Sequence, residues 1–175
     1  MNDILKAMQT RRSVRRFRSD MLSQETMDEI IQAGLYAASG RGKQCPIIIA
    51  VTDQKLRDQL SAMNSKIGGW DSSFDPFYGA PVVLVVLAPR DVPTYLYDGS
   101  LVMGNLMLAA HSLGVGSCWI HRAKEEFDSE EGKAILTALG IEGDWEGIGH
   151  CVLGYAEEEL SLPPERRENR VCYVK

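Results

Sequence analysis

Four arginines stand within seven residues in the stretch Arg11-Arg12-Ser13-Val14-Arg15-Arg16-Phe17, and Arg18 follows at once. Arginine offers a planar fork of donors that matches the oxygens of a phosphate, and Ser13 adds a hydroxyl. The cluster sits in an acidic chain, with 19 Lys and Arg against 24 Asp and Glu and a formal net charge of −5. From the residues alone two readings are open: an anion site, or a solvated or salt-bridged face.

Other chemistries find little support. There is no GxxxxGK[ST] loop and no GxGxxG after a strand; Gly114 and Gly116 close a helix instead of opening one. His111, His121 and His150 lack metal-ligand spacing and read as structural. Cys45, Cys118, Cys151 and Cys172 form no CxxC pair, which argues against zinc or an iron–sulfur cluster. Cys118 reads as a small core thiol. No Ser/His/Asp set stands out, and no side chain is assigned as a catalytic group. What remains is the arginine cluster, a Gly-rich polar loop at 37–46 and an aromatic loop at 64–79 with Trp70, Phe74, Phe77 and Tyr78. That combination suits an enzyme whose chemistry is done by a phosphate-bearing cofactor.

The elements that must position these residues follow from periodicity. A short amphipathic helix over 3–9 presents Ile4, Leu5 and Met8 and delivers the chain into the cluster. Ser23 caps a helix whose Met27, Ile30, Ile31, Gly34 and Leu35 share a face. Ile47–Val51 and Val82–Ala88 are continuous apolar runs, expected as strands covered on both faces. Asp53 caps a helix carrying Leu56, Leu60 and Met63. The helix over 95–113 is apolar all round, which predicts that part of it meets a second subunit, with Gly104 allowing close approach. Ser117–Ile120 is a third strand, Asp128 is expected to cap a helix with Ile135 and Leu139, Gly147–Tyr155 is a fourth strand and Val171–Val174 a short fifth.

The 175 residues read as one domain, 1–175, with no linker. The acidic balance argues against general nucleic-acid binding. No run approaches the ~18 apolar residues of a membrane span, and the N-terminus has no signal-peptide pattern. A cytoplasmic protein with reduced thiols is expected.

Read together, the motifs resemble the FMN-dependent nitroreductase family. The carriers are Arg11–Phe17, Ala38-Ser39 to Gln44, Gly79-Ala80-Pro81, Asp98-Gly99-Ser100, the run Ala109–Ile120, Leu153-Gly154-Tyr155 and a basic C-terminal segment, in family order over essentially the whole chain. The resemblance implies an α+β fold, a mixed central sheet of four to five strands flanked by helices, in an intertwined homodimer with FMN at the subunit interface. It implies NADH or NADPH as donor and ping-pong hydride transfer through flavin N5 to small planar acceptors, nitroaromatics or quinones. A flavin reductase, a dehalogenase-like reductase and a non-catalytic flavin-binding or regulatory protein are the alternatives.

Family roles fall on matching positions. Arg11, Arg12 and Ser13 correspond to contacts with the FMN phosphate, ribityl chain and ring edge, and Arg15 to a cation near the N1/C2=O edge. Ser39, Gly40 and Gln44 match the loop that reaches the flavin of the other subunit. Cys118, Trp119 and Ile120 match backbone packed on the isoalloxazine, and Arg166 and Arg167, with Arg170 as a third choice, match a phosphate-holding basic pair. Trp70, Phe74, Phe77 and Tyr78 are expected either over the flavin or packed in the dimer. Two departures stand out: Gly42 where the family commonly has Asn, and Pro46 where it has Trp.

Overall fold

Strand β2 (Val82–Pro89) is the member on which the other layers pack. Its residues Val82 to Ala88 are wholly buried, because both faces of the strand are covered. Val83, Val85 and Leu87 meet Phe17, Leu60, Phe77 and Phe127 on one side. Val82, Leu84, Val86 and Ala88 meet Ile30, Met103 and Leu106 on the other. This is the alternation of a pleated strand, and each such side chain contributes roughly 1.5–3 kcal/mol on burial.

The computed structural model describes residues 2–175. Before β2 come α1 (Asp3–Thr10), α2 (Gln24–Leu35), β1 (Ile47–Val51) and α3 (Gln54–Gly68); after it come α4 (Tyr95–Ser112), β3 (Gly116–Ile120), α5 (Ala123–Asp128), α6 (Glu130–Ala138) and β4 (Trp145–Gly154). The strands lie in the order β1-β2-β4-β3. Helices α2 and α4 cover one face, joined where Gly34 lets Leu106 come so close that a Cβ would meet its Cδ2 at 2.5 Å. Helices α3 and α5 cover the other.

The α+β class holds, with differences of detail. All pairings within the four-stranded sheet are antiparallel, and among the described residues the only parallel pairing is the isolated bridge of Ser13 to Ser117. Val171–Val174 forms no strand: the segment is exposed and has no partner ladder within the protomer. Helix α3 runs on to Gly68 and stops at Gly69, whose left-handed φ of 70° suits glycine, so the aromatic loop is shorter than expected. Asp128 ends α5 instead of capping the next helix; the cap is Ser129, whose Oγ accepts from Gly132 N at 3.1 Å. Helix α4 buries Val102, Met103, Leu106 and Ala110, while Tyr97 and Leu101 stay exposed and nothing lies near Gly104. No helix of the described chain is long and apolar enough to cross a membrane.

Candidate functional site

Segment 11–18 is a cationic edge strap pinned by its two apolar residues. Val14 and Phe17 turn into the core. Val14 N donates to the Ser117 carbonyl at 2.9 Å, and Arg18 N to that of Tyr155 at 2.9 Å. The fit is close: a Cβ at Gly116 would lie 2.9 Å from Val14 Cγ2. The strap therefore runs beside the start of β3, and its arginines are left outside the core.

Those arginines divide into two sets. Arg16 pairs with Glu157 at 3.3 Å and also with Glu158, and Arg18 pairs with Asp20 at 3.4 Å and lies 5.1 Å over Tyr155. They form the salt-bridged face. Arg11 and Arg12 are different. Arg11 caps α1, and Arg12 Nη2 donates to the Gln9 carbonyl at 2.9 Å. Yet Arg11 Nη1 and Arg12 Nε are buried without a hydrogen-bond partner, and so is the Oγ of Ser117, whose residue is 1% exposed. Buried donors left unpaired cost free energy, and such a group calls for an explanation. A phosphate-bearing ligand supplies one, since it brings acceptors to both guanidinium groups at once. A cavity of about 220 Å³ is lined by Arg12, Ser13, Arg15, Glu158 and Glu159 among others, and a second of about 150 Å³ by Arg12, His111 and Ser117 among others. His111 lies against Thr10 Oγ1 at 2.8 Å. Burial, then the charges of Arg11 and Arg12, holds it below its ordinary value, so it adds no charge here near neutral pH.

Strand β3 supplies the back of this region. Cys118 and Ile120 are buried and Trp119 is half-buried. Burial raises the Cys118 thiol, with Arg15 and Ser13 opposing in part. It is a core thiol, not a nucleophile.

A second cluster holds the loop Ser39–Gln44. Arg41, Gly42 and Gln44 all have positive φ, at 56°, 66° and 50°. The buried carboxylate of Asp98 in α4 accepts from Gly40 N at 2.9 Å, from Thr94 Oγ1 at 2.9 Å and from the Cys45 thiol at 3.5 Å. Ser39 Oγ accepts from Gln44 N at 2.9 Å and closes the loop.

The aromatic loop is tied by Asp75, which accepts from Ser61 Oγ at 2.7 Å, Phe77 N at 2.9 Å, Gly79 N at 2.7 Å and Arg57 Nη2. This splits the four aromatics. Phe77 is fully buried against His150, with ring centroids 5.1 Å apart, so it supports the loop from within and cannot line an open site. Trp70, Phe74 and Tyr78 form an edge-to-face ladder at 5.0 and 6.1 Å, with Trp70 41% and Phe74 39% exposed. Arg166 and Arg167 lie on the exposed segment after β4; Arg166 donates to the Pro164 carbonyl at 3.1 and 2.7 Å, and among the described residues no side-chain hydrogen bond joins either to the cationic strap.

The model of the nitroreductase family matches residues 8–155. The chain belongs to the nitroreductase family. It is 30% identical over 165 residues to a protein of Archaeoglobus fulgidus provisionally named an NADH dehydrogenase/NAD(P)H nitroreductase, covering 91% of this chain and 88% of the relative. Among solved structures it is similar to a nitroreductase with bound FMN from Bacteroides fragilis, at 26% identity, full coverage of both chains and a TM-score of 0.89. A nitroreductase with bound FMN from Desulfitobacterium hafniense gives 26% identity, full coverage of both and a TM-score of 0.87.

This nitroreductase-family chain holds its Ser39–Gln44 loop without the common Asn, through backbone bonds and Asp98. That carboxylate was not singled out as a site residue from the sequence, although it stands in the Asp98-Gly99-Ser100 motif. Ser117 was also missed, because only burial reveals its unpaired hydroxyl. One consequence is measurable. Burial, then the hydrogen bond and charge of Asp98, raises the Cys45 thiol above its ordinary value. Asp98→Asn should therefore speed alkylation of Cys45 at pH 7.5 several-fold, measured by mass spectrometry of the Cys45 peptide. An unchanged rate would show that Asp98 does not control that thiol.

Proposed function

We propose that this chain is an FMN-dependent NAD(P)H oxidoreductase that acts as a homodimer on small planar acceptors, nitroaromatics or quinones. The observation that carries the reading is the set of unpartnered buried donors on Arg11, Arg12 and Ser117, with cavities beside Arg12 and Ser117. The FMN named for the Bacteroides and Desulfitobacterium structures supports it. When bound, FMN supplies the hydride chemistry, accepting two electrons from NADH or NADPH and passing them to the acceptor in a ping-pong cycle.

The protein's own part is binding and electrostatics. Arg11 and Arg12 hold the phosphate, and Ser13 and Ser117 offer hydroxyls to the ribityl side. Arg15, exposed and without a carboxylate partner among the described residues, would serve the N1/C2=O edge, where a cation would stabilise the charge that reduction adds. The backbone of Cys118, Trp119 and Ile120 backs the ring. Ser39, Gly40 and Gln44 complete the site across the dimer, and Arg166 and Arg167, on the exposed segment after β4, are assigned to the phosphate of the dimer. Trp70, Phe74 and Tyr78 form the acceptor wall, where aromatic faces stack on a planar ring.

Dimer formation is supported by what the protomer leaves uncovered. Ile4, Leu5 and Met8 of α1, Tyr97 and Leu101 of α4, and Leu162, Val171 and Tyr173 of the arm are exposed apolar groups. A cytoplasmic location agrees with four unpaired cysteines. The test is anaerobic: FMN-loaded protein titrated with NADH and, separately, NADPH should lose its flavin absorbance with at least one donor and regain it on adding a quinone. Retention of the oxidised spectrum with both donors would defeat the reading.

A further inference from the structure

The turn between β3 and α5 carries an arrangement that the cofactor site leaves unused. Arg122 has a left-handed φ of 77°, a conformation that a residue with a side chain adopts at a cost. The fold holds it there from three sides. Asn64, fully buried, donates to the His121 carbonyl at 2.8 Å and to the carboxylate of Glu126. Glu126, also fully buried, lies 3.0 Å from His150 Nε2. The Arg122 carbonyl accepts from Glu126 N at 3.0 Å, which starts α5.

The outcome is a guanidinium carried 4.4 Å over the ring of Trp70. Among the described residues no carboxylate pairs with it. Trp70 is also the outer member of the exposed aromatic ladder. A guanidinium stacked on an aromatic face keeps its N–H edge free for a bidentate oxyanion. An exposed edge-to-face aromatic ladder and an unpaired planar cation therefore stand side by side.

We propose that Arg122, carried on Trp70, selects the acceptor: it recruits planar aromatic molecules that bear an anionic substituent, a ring carboxylate first among them. This rests on the reading that β3 backs the flavin, since Arg122 follows Ile120 by two residues, roughly 7 Å of extended chain. The aromatic ladder takes the ring and the guanidinium takes the carboxylate. A neutral acceptor of the same shape gains only the first contact.

The experiment compares 4-nitrobenzoate with 4-nitrobenzamide on FMN-loaded protein, as wild type, Arg122→Gly and Arg122→Lys. Glycine accepts the left-handed backbone without strain, so this variant removes the cation and keeps the turn. Equilibrium binding is read by quenching of tryptophan fluorescence, and turnover is read alongside. Wild type should bind the carboxylate more tightly than the amide. Arg122→Gly should weaken carboxylate binding roughly 10-fold or more, with the amide changed less than about twofold. Arg122→Lys should retain part of the preference. Equal affinity of wild type for the two compounds, or equal weakening of both by Arg122→Gly, would overturn the proposal. Turnover of the neutral amide reports on the oxidoreductase reading separately, so binding decides the role of Arg122 whichever way that falls.

Discussion

Asp75→Ala should cost about 3 kcal/mol of stability, since it removes one of two carboxylates from a buried guanidinium and leaves that charge poorly compensated. Arg57 is the residue left behind. Its side chain is 8% exposed, its Nε donates to the Ala80 carbonyl at 3.1 Å, and its remaining carboxylate is Asp58 at 3.1 Å on the surface. The same substitution strands Ser61 Oγ and the N–H groups of Phe77 and Gly79. Urea unfolding would measure the loss, and a change below about 0.5 kcal/mol, the size of an ordinary surface substitution, would contradict the role given to Asp75. The pH dependence carries a sign. Burial alone would raise the Asp75 carboxyl, but its hydrogen bonds from Arg57, Ser61, Gly79 and Phe77 outweigh that and hold it below the ordinary 3.8. The unfolded chain then takes up this proton more readily than the folded one. The contribution is complete above pH 3.8 and is lost as pH falls through the lower folded value. Asp75→Asn should therefore remove part of the acid sensitivity of unfolding.

Arg11→Ala should weaken FMN binding by roughly 10- to 100-fold, the range expected for one charge-assisted hydrogen bond. Arg11 Nη1 is buried and has no hydrogen-bond partner among the described residues, which leaves it available to a ligand. Arg16→Ala is the internal contrast. Arg16 is already occupied by Glu157 and Glu158 on the surface, and its loss should leave the affinity within about twofold, because exposed ion pairs carry little energy. Flavin fluorescence quenching on titration measures both. Equal effects of the two substitutions would mean that the cluster acts only through its total charge.

The arginine segment was legible because apolar Val14 and Phe17 interrupt a run of charge. The charges on one strap must share an outer side, and that is where they lie. The run 82–88 was legible because a strand covered on both faces must be apolar throughout, as β2 is; the equally apolar run 47–51 is a strand too, but against expectation it lies at the sheet edge and is only partly buried, with Ala50 exposed. Helix α5 was not, since its six residues are too few to show a period. The reserve strand at 171–174 looked like a strand in composition, but a strand exists only with a partner, and this protomer offers it none. Phe77 could not be told from Phe74 by sequence, because Asp75 turns the chain between them and sends one ring inward and the other to the surface. Arg122 was invisible for a deeper reason: a left-handed arginine is imposed by Asn64, nearly sixty positions away.

The central claim is that this chain recognises the phosphate of FMN through Arg11 and Arg12. The most direct measurement titrates apoprotein with FMN and, in parallel, with riboflavin, which shares the ring and ribityl chain but has no phosphate. FMN should bind at least about 100-fold more tightly, since two charge-assisted contacts depend on that one group. Equal affinity for the two flavins would contradict the account.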